Sequence, residues 1–325
     1  MNWSLATGRP CPNASPKAIA RNTLDAQREQ LNGTIVSLPG LPHELLSNQT
    51  RTVEQLESAA QICVDNGAQI IGLGGVAAMI GGQGKALARR ISAPVTSGNH
   101  MTADTAFQTS LRLLSLVPPN RWRVAIIGLP SPVGILLVKL LARTGVDLEI
   151  VAPTLPEPTR KLLKQLTEDW KIEIETVPSV GVCKSRILIA ASSTGANVPL
   201  SQIPSQTVVV DVAAPEDINH DHPRDDVIVV DGEYLSPPTP LKGSLWQSVY
   251  GYLTHQPDTL LACFVEPMLI AISGQTDLCG VGRNLCTDKA STLGRLAAQH
   301  GFLVDAFYRK GVPIGESAIE RCLHP

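Results

Sequence analysis

Apolar residues recur along the chain in two periods, and their order predicts an α/β protein. Gly33–Pro39 holds a short β-prone run, and Val53–Asp65 carries apolar residues at helical spacing. Ala68–Leu73 reads as a second strand that runs into Gly74-Gly75. A small-residue helix is expected from Val76 to Arg90, and another over Thr102–Leu116, stopped by Pro118-Pro119. Beyond that break the predicted strands are Trp122–Ile127, Asp147–Val151, Ile172–Val177, Arg186–Ala191, Val208–Val212 and Val227–Val230. Helices are predicted over Pro132–Arg143 and Pro158–Asp169. Apolar strands alternating with crossover helices make a doubly wound parallel sheet.

Four segments follow from this pattern. Residues 1–32 lack periodic apolar patterning and are expected to be poorly ordered. Residues 33–118 form an N-terminal α/β substrate domain, and 119–233 a Rossmann dinucleotide-binding domain. Residues 234–325 form a C-terminal helical segment that packs back on the N-terminal domain.

Composition narrows the class. Of 325 residues 43% are hydrophobic, enough for a sizeable core, while 17% are charged and the net charge is −2. No basic excess exists for phosphate neutralisation, so no nucleic-acid partner is expected. The polar start and the lack of a long uncharged apolar run predict a cytoplasmic protein without a transmembrane segment, with peripheral membrane contact left open. The seven cysteines are scattered and form no C-x-x-C pair, so neither a zinc knuckle nor a disulfide framework is expected. His220-Asp221-His222 precedes Pro223 and lacks a third ligand, so no metal is expected.

Two stretches carry candidate chemistry. The strand Trp122–Ile127 delivers into Gly128-Leu129-Pro130-Ser131-Pro132-Val133-Gly134 and then a helix. In a dinucleotide fold the first glycine makes the tight turn, the second admits the pyrophosphate, and the third lets the helix pack closely on the sheet. Gly128 and Gly134 suit the first and third roles. Ser131 holds the middle position and adds a hydroxyl donor, and Val133 lies in the same turn. Pro130 and Pro132 remove N–H groups from any phosphate cradle. The second strand tip, Val151-Ala152-Pro153-Thr154, carries no acid for a ribose 2′-OH, which favours NADPH without excluding NADH. Arg160 is the nearest downstream cation. Ser193-Thr194, after the strand Arg186–Ala191, reads either as a border of the nicotinamide or as a plain turn.

The second stretch is Thr259–Ala271, an apolar helix with Asp258 as a plausible N-cap and Pro267 inside it. It contains Cys263, with Glu266 three residues on. A buried cysteine acting as a small hydrophobe is the commoner reading of such a position, and a bare carboxylate nearby hinders thiolate formation. Asn99, His100 and Thr102 follow a predicted strand end and read equally as crevice-lining or capping groups.

The resemblance is carried, in chain order, by Leu41-Pro42-His43-Glu44-Leu45, Gly72-Leu73-Gly74-Gly75, Thr96-Ser97-Gly98-Asn99 with Thr102-Ala103, the turn Gly128–Gly134, Cys263-Phe264-Val265-Glu266, Gly282-Arg283-Asn284 and His300-Gly301-Phe302. This ordered set resembles the long-chain acyl-[acyl-carrier-protein] reductases, which reduce an acyl thioester to a fatty aldehyde. The resemblance implies Cys263 as the acyl-accepting nucleophile with Glu266 beside it, NADPH as the cofactor, and an acyl carrier protein or another acyl thioester as the partner. Gly74, Gly75, Asn99, His100 and Thr102 then belong to the substrate region, and Gly128, Ser131, Val133, Gly134, Ser193 and Thr194 to the cofactor. Ser131 stands where that family has glycine, Pro153 where it has arginine, and Met101 where it has histidine. Two alternatives remain beside it. One is a dehydrogenase of a small keto or hydroxy acid, as in shikimate dehydrogenases. The other is a catalytically degenerate Rossmann protein that binds a nucleotide without turnover.

Overall fold

The computed structural model describes residues 2–9, 17–26, 29–118, 122–193, 195, 197–213, 215–239, 259–310 and 312–324. The chain divides into two compact units: Met1–Thr102 with Tyr234–Asp305, and Ala103–Glu233 with Ala306–Pro325.

The first unit is built on a five-stranded sheet. Its strands are β1 (Asn2–Arg9), β2 (Lys17–Ala26), β3 (Glu29–Pro39), β4 (Ile70–Leu73) and β5 (Val95–Thr96), in the order β2-β3-β1-β4-β5. Only β2 runs antiparallel to its neighbour; the β1–β3, β1–β4 and β4–β5 pairs are parallel. Helices α1 (Pro42–Ser47) and α2 (Gln49–Asp65) connect β3 to β4. Alternation along β3 and β4 divides the core in two. Val36, Leu38, Ile71 and Leu73 join Val53, Leu56 and Ala59 of α2. Ile35 and Ile70 join the later helical segment instead.

Segment 1–32 departs from its expected disorder, because β1 and β2 lie within it and pair with β3. Backbone hydrogen bonding to an existing sheet needs no long apolar period, so such strands carry no periodic signal in the sequence. The helix expected over Val76–Arg90 is also corrected. A 3₁₀ turn at Gly75–Met79 gives way to single helical turns α3 (Ile80–Gln83) and α4 (Lys85–Ala88). Gly81, Gly82, Gln83 and Gly84 all have positive φ, between 55° and 82°, so the right-handed helix cannot pass through them.

Helix α5 (Asn99–Leu114) carries the chain into the second unit. There β6 (Arg123–Ile127), α6 (Pro132–Ala142), β7 (Asp147–Val151), α7 (Glu157–Trp170), β8 (Ile174–Val177), β9 (Ile187–Ala190), β10 (Thr207–Asp211) and β11 (Val227–Asp231) form a wholly parallel six-stranded sheet. The spatial order is β11-β10-β9-β6-β7-β8, the doubly wound arrangement expected. The strand order reverses between β6 and β9, so the loops leaving these two strands flank the switch point.

After residue 259 the chain returns to the first unit. Leu260–Leu261 pairs with Tyr234–Leu235, and α8 (Ala262–Ser273) packs against β1 and β4, followed by α9 (Thr287–Gln299). The helix expected from 259 starts three residues later, because Leu260 and Leu261 pair as strand, and Asp258 lies outside the described residues. The tail departs from the expectation for 234–325. Phe307–Arg309 and Val312–Ile314 form a hairpin, and α10 (Glu316–Leu323) packs on β10 and β11 of the second unit through buried Ile319, Cys322 and Leu323. Among the described residues no helix is long and apolar enough to cross a membrane.

Candidate functional site

Helix α8 is apolar on every side, and its burial follows from that. Every residue from Ala262 to Ile272 is buried except Cys263, which is partly exposed. Cys263 is the second residue of the helix, where amide N–H groups and the macrodipole favour a negative charge. Its carbon atoms lie directly against Gly98. A Cβ on Gly98 would fall 2.5 Å from Cys263 Cβ and 2.6 Å from its Cα, and Gly98 has φ +76°. Only glycine satisfies both demands there. Pro267 lies inside α8, as its spacing implied.

Glu266, one turn further on, is fully buried. Its carboxylate accepts the Thr96 hydroxyl and, at 2.8 Å, the Met101 N–H. The backbone amides of Gly98 and His100 also favour its charged form. Burial pushes its carboxyl up to about 7 against the pull of these donors. This places Glu266 at the start of α5, away from solvent.

His100 is 2% exposed. Its Nε2 accepts the Cys286 N–H at 3.1 Å, while Nδ1 is buried with no hydrogen-bond partner. Burial, helped by the nearby Lys289 ammonium, lowers its pKa to about 4, so the ring is neutral. Gly280 lies flat against the imidazole: a Cβ there would fall 2.1 Å from Cε1. The Gly280 carbonyl receives Ser97 N–H at 2.8 Å and Ser97 Oγ at 2.9 Å, and the Gly280 N–H donates to Thr96 Oγ1 at 3.1 Å. The Thr102 hydroxyl donates to the Gly98 carbonyl at 2.9 Å, a bond back along its own helix to an oxygen that also receives the Thr102 N–H. Of this group Asn99 is only half-buried. Gly74, just after β4, is buried, and Gly75 is exposed with φ +54° and open space beside it. Cys279, in the same loop as Gly280, is pushed up to about 12 by burial and by Glu266, which leaves it a poor nucleophile.

In the second unit the glycine turn leaves β6 at the switch point. Gly128 has φ +105°, and a Cβ there would lie 2.4 Å from Ser192 N and 2.5 Å from the Ala191 carbonyl carbon. The turn is therefore pressed on the loop after β9. Ser192 is held in place by Asp217, which accepts both its hydroxyl and, at 2.8 Å, its N–H. Ser193 is half-buried beside it, and Thr194 lies outside the described residues.

Ser131 corrects the role expected of its hydroxyl. It donates to the Ala191 carbonyl at 2.5 Å and accepts the Gly134 N–H at 2.9 Å, so the side chain caps α6. The Ser131 N–H itself reaches the Gly128 carbonyl at 2.8 Å. Both prolines lack N–H, so besides Ser131 and Gly134 the remaining backbone N–H groups of positions 129–134 are those of Leu129 and Val133. Arg160 is likewise engaged, with Glu157 at 2.6 Å and the Leu155 carbonyl at 3.0 Å. Among the basic residues considered for a carrier, Arg90 pairs with Glu57 at 3.1 Å, while Lys161 and Lys164 lie 4.0 Å from Glu157 and Glu168. His220 sits against Arg309, which also binds Asp231 and Glu216 at 2.8 Å. Among the described residues no set of three or more His, Cys, Asp and Glu side chains is placed to hold a metal.

Comparison with known proteins adds the following. No family model matches the chain. The chain is 28% identical over 278 residues to aminotransferase PigE of Serratia sp. (strain ATCC 39006), a match covering 84% of this chain and 32% of that protein. The chain thus spans about a third of that relative's length. Among solved structures it is similar to L-tryptophan dehydrogenase from Nostoc punctiforme, at 9% identity and a TM-score of 0.38, over 90% of this chain and 74% of that one. The NAD-dependent malic enzyme of Thermotoga maritima aligns at 12% identity and 0.37, over 93% and 84%. The iminosuccinate reductase of Paracoccus denitrificans, solved with NAD+, aligns at 17% and 0.28, over 38% and 40%.

Proposed function

We propose that the chain is an oxidoreductase that reduces a thioester-linked acyl group to an aldehyde with NADPH, using Cys263 as the nucleophile. The observation that carries this reading is the exposure of Cys263 alone in the first turns of an otherwise buried helix. A cysteine kept only as a small hydrophobe has no reason to be the one residue of 262–272 that reaches the surface.

In the first step the Cys263 sulfur attacks the thioester carbonyl carbon. A new C–S bond forms, the old C–S bond breaks, and the carrier leaves as a thiolate that takes a proton from solvent. In the second step the acyl-cysteine carbon gains a hydride, its bond to Cys263 breaks, and the aldehyde departs with the thiolate regenerated. NADPH, when bound, supplies that hydride. The residues that would hold it are Gly128, the amide of Leu129 in the glycine turn and that of Val133 in the first turn of α6, with Ser193 across the switch point. The absence of an acid at Val151–Thr154 favours NADPH over NADH. The carrier is an acyl carrier protein or another thiol of that kind.

One observation favours a second reading, nucleotide binding without turnover: Ser131 uses the Gly134 N–H that a pyrophosphate would otherwise take. Incubation with a long-chain acyl thioester and NADPH separates the two. Cofactor oxidation matched mole for mole by aldehyde supports the reductase, and saturable cofactor binding with no aldehyde supports the alternative.

A further inference from the structure

Helix α5 begins under an unusual constraint. The residue before it, Gly98, has no side chain to cap the first amides, and the contact with Cys263 forbids one: any Cβ would lie 2.5 Å from Cys263 Cβ. Serine, threonine or aspartate, the ordinary caps, therefore cannot stand there. The acceptor arrives instead from α8, where Glu266 takes the Met101 N–H together with the Thr96 hydroxyl, and the Gly98 and His100 backbone dipoles favour its charge. The contact that excludes a cap and the carboxylate that replaces it sit one turn apart on the same helix.

We infer that Glu266 is a positioning residue: with Thr96 it clamps the start of α5 to α8 and so fixes Cys263 against Gly98. Its consequence for catalysis rests on the reading of Cys263 as nucleophile, but the clamp itself does not. Glu266 touches neither substrate nor sulfur in this role. It holds the backbone against which the thiol is set, and its charge compensates the N-terminal dipole of α5. The groups that face it are Thr96 from β5, His100 from the first turn of α5, and Cys279, with Lys289 of α9 beyond Cys279 and His100. His100 is neutral above about 4, and Cys279 keeps its proton to about 12, so Glu266 is the group of this set that titrates near neutrality.

The test reads Cys263 directly. The intact chain is alkylated with iodoacetamide across pH 5.5–9, roughly the span around that neutral titration, and the rate at Cys263 is followed by peptide mass spectrometry. The wild-type profile should carry a step near neutrality besides the titration of the thiol itself. Glu266→Gln keeps the shape and hydrogen-bonding reach, and it should erase that step. Glu266→Ala and Thr96→Val should change the rate about fivefold, the scale of a lost helix cap, and hasten hydrogen exchange at the Gly98–Met101 amides. Thr96→Ser should restore both. If Glu266→Ala does not fold, Glu266→Gln and the Thr96 pair still decide the matter. An unchanged profile in Glu266→Gln, or unchanged rate and exchange in Thr96→Val, overturns the clamp. A clamp that behaves as described on a Cys263 that never accepts an acyl group would overturn the proposed reaction and leave the clamp standing.

Discussion

Two helices of this protein start just after a parallel strand, and their first turns are capped in opposite ways. At α6 the cap is local: Ser131 accepts the Gly134 N–H and donates to the Ala191 carbonyl. At α5 the cap is distant: Glu266, 165 residues away from Met101, supplies it because Gly98 cannot. A local cap draws on donors that a phosphate would use. A distant cap ties a second helix, and whatever it carries, to the first turn. The first arrangement occupies an amide of the glycine turn, and the second ties the start of α5 to the helix that carries Cys263.

The comparison is broken most severely at Cys263. Cys263→Ala should abolish aldehyde formation altogether while cofactor affinity, measured by fluorescence titration, stays within about twofold, since no side-chain interaction of the glycine turn is lost. Next in size is Gly98→Ala. Its Cβ cannot fit against Cys263 and its φ is left-handed, so the variant should lose roughly 2–4 kcal/mol in urea denaturation. Stability close to wild type would mean that Cys263 is not fixed there.

A third test follows α5 beyond its start. Asp104 is 2% exposed, has an unpartnered Oδ2, and is raised by burial from 3.8 to about 7. The folded state therefore holds a proton that the unfolded chain has released, and its stability falls as pH rises from 3.8 toward about 7. Asp104→Asn should flatten that part of the profile by a few degrees of Tm, read by thermal scans across this range. An unchanged slope would assign it to other carboxyls. The smallest effect is expected at Ser131→Gly. The substitution costs a few tenths of a kcal/mol of capping, releases the Gly134 N–H, and should tighten NADPH binding about threefold. Weaker binding would show that Ser131 itself meets the phosphate.

Much of the fold is legible in the chain because its signals are local. Runs such as Val208–Val210 and Ile187–Ile189 are apolar on both faces, as buried parallel strands must be, and their alternation with helices gives the doubly wound order. Residues 76–90 mislead because their small residues favour a helix by composition, whereas Gly81–Gly84 adopt positive φ. Segment 1–32 misleads because β1 and β2 are recruited by pairing to β3 rather than announced by period. The site is half legible. Cys263 stands out by motif, and Glu266 by its spacing of three on the same helix. What Glu266 binds cannot be read from that spacing, since Thr96 and Met101 lie far off in sequence and only folding brings them to it. Ser131 shows the converse error: a hydroxyl that looks available to a ligand is taken by the Ala191 carbonyl.

The central claim is that Cys263 is set to receive an acyl group, and mass spectrometry of the protein after exposure to an acyl thioester without reduced cofactor tests it most directly. The account predicts a single acyl adduct, mapped by proteolysis to the peptide containing Cys263 and discharged as aldehyde when NADPH is added. An adduct on another cysteine, or none on Cys263 in folded protein that binds NADPH, would contradict it.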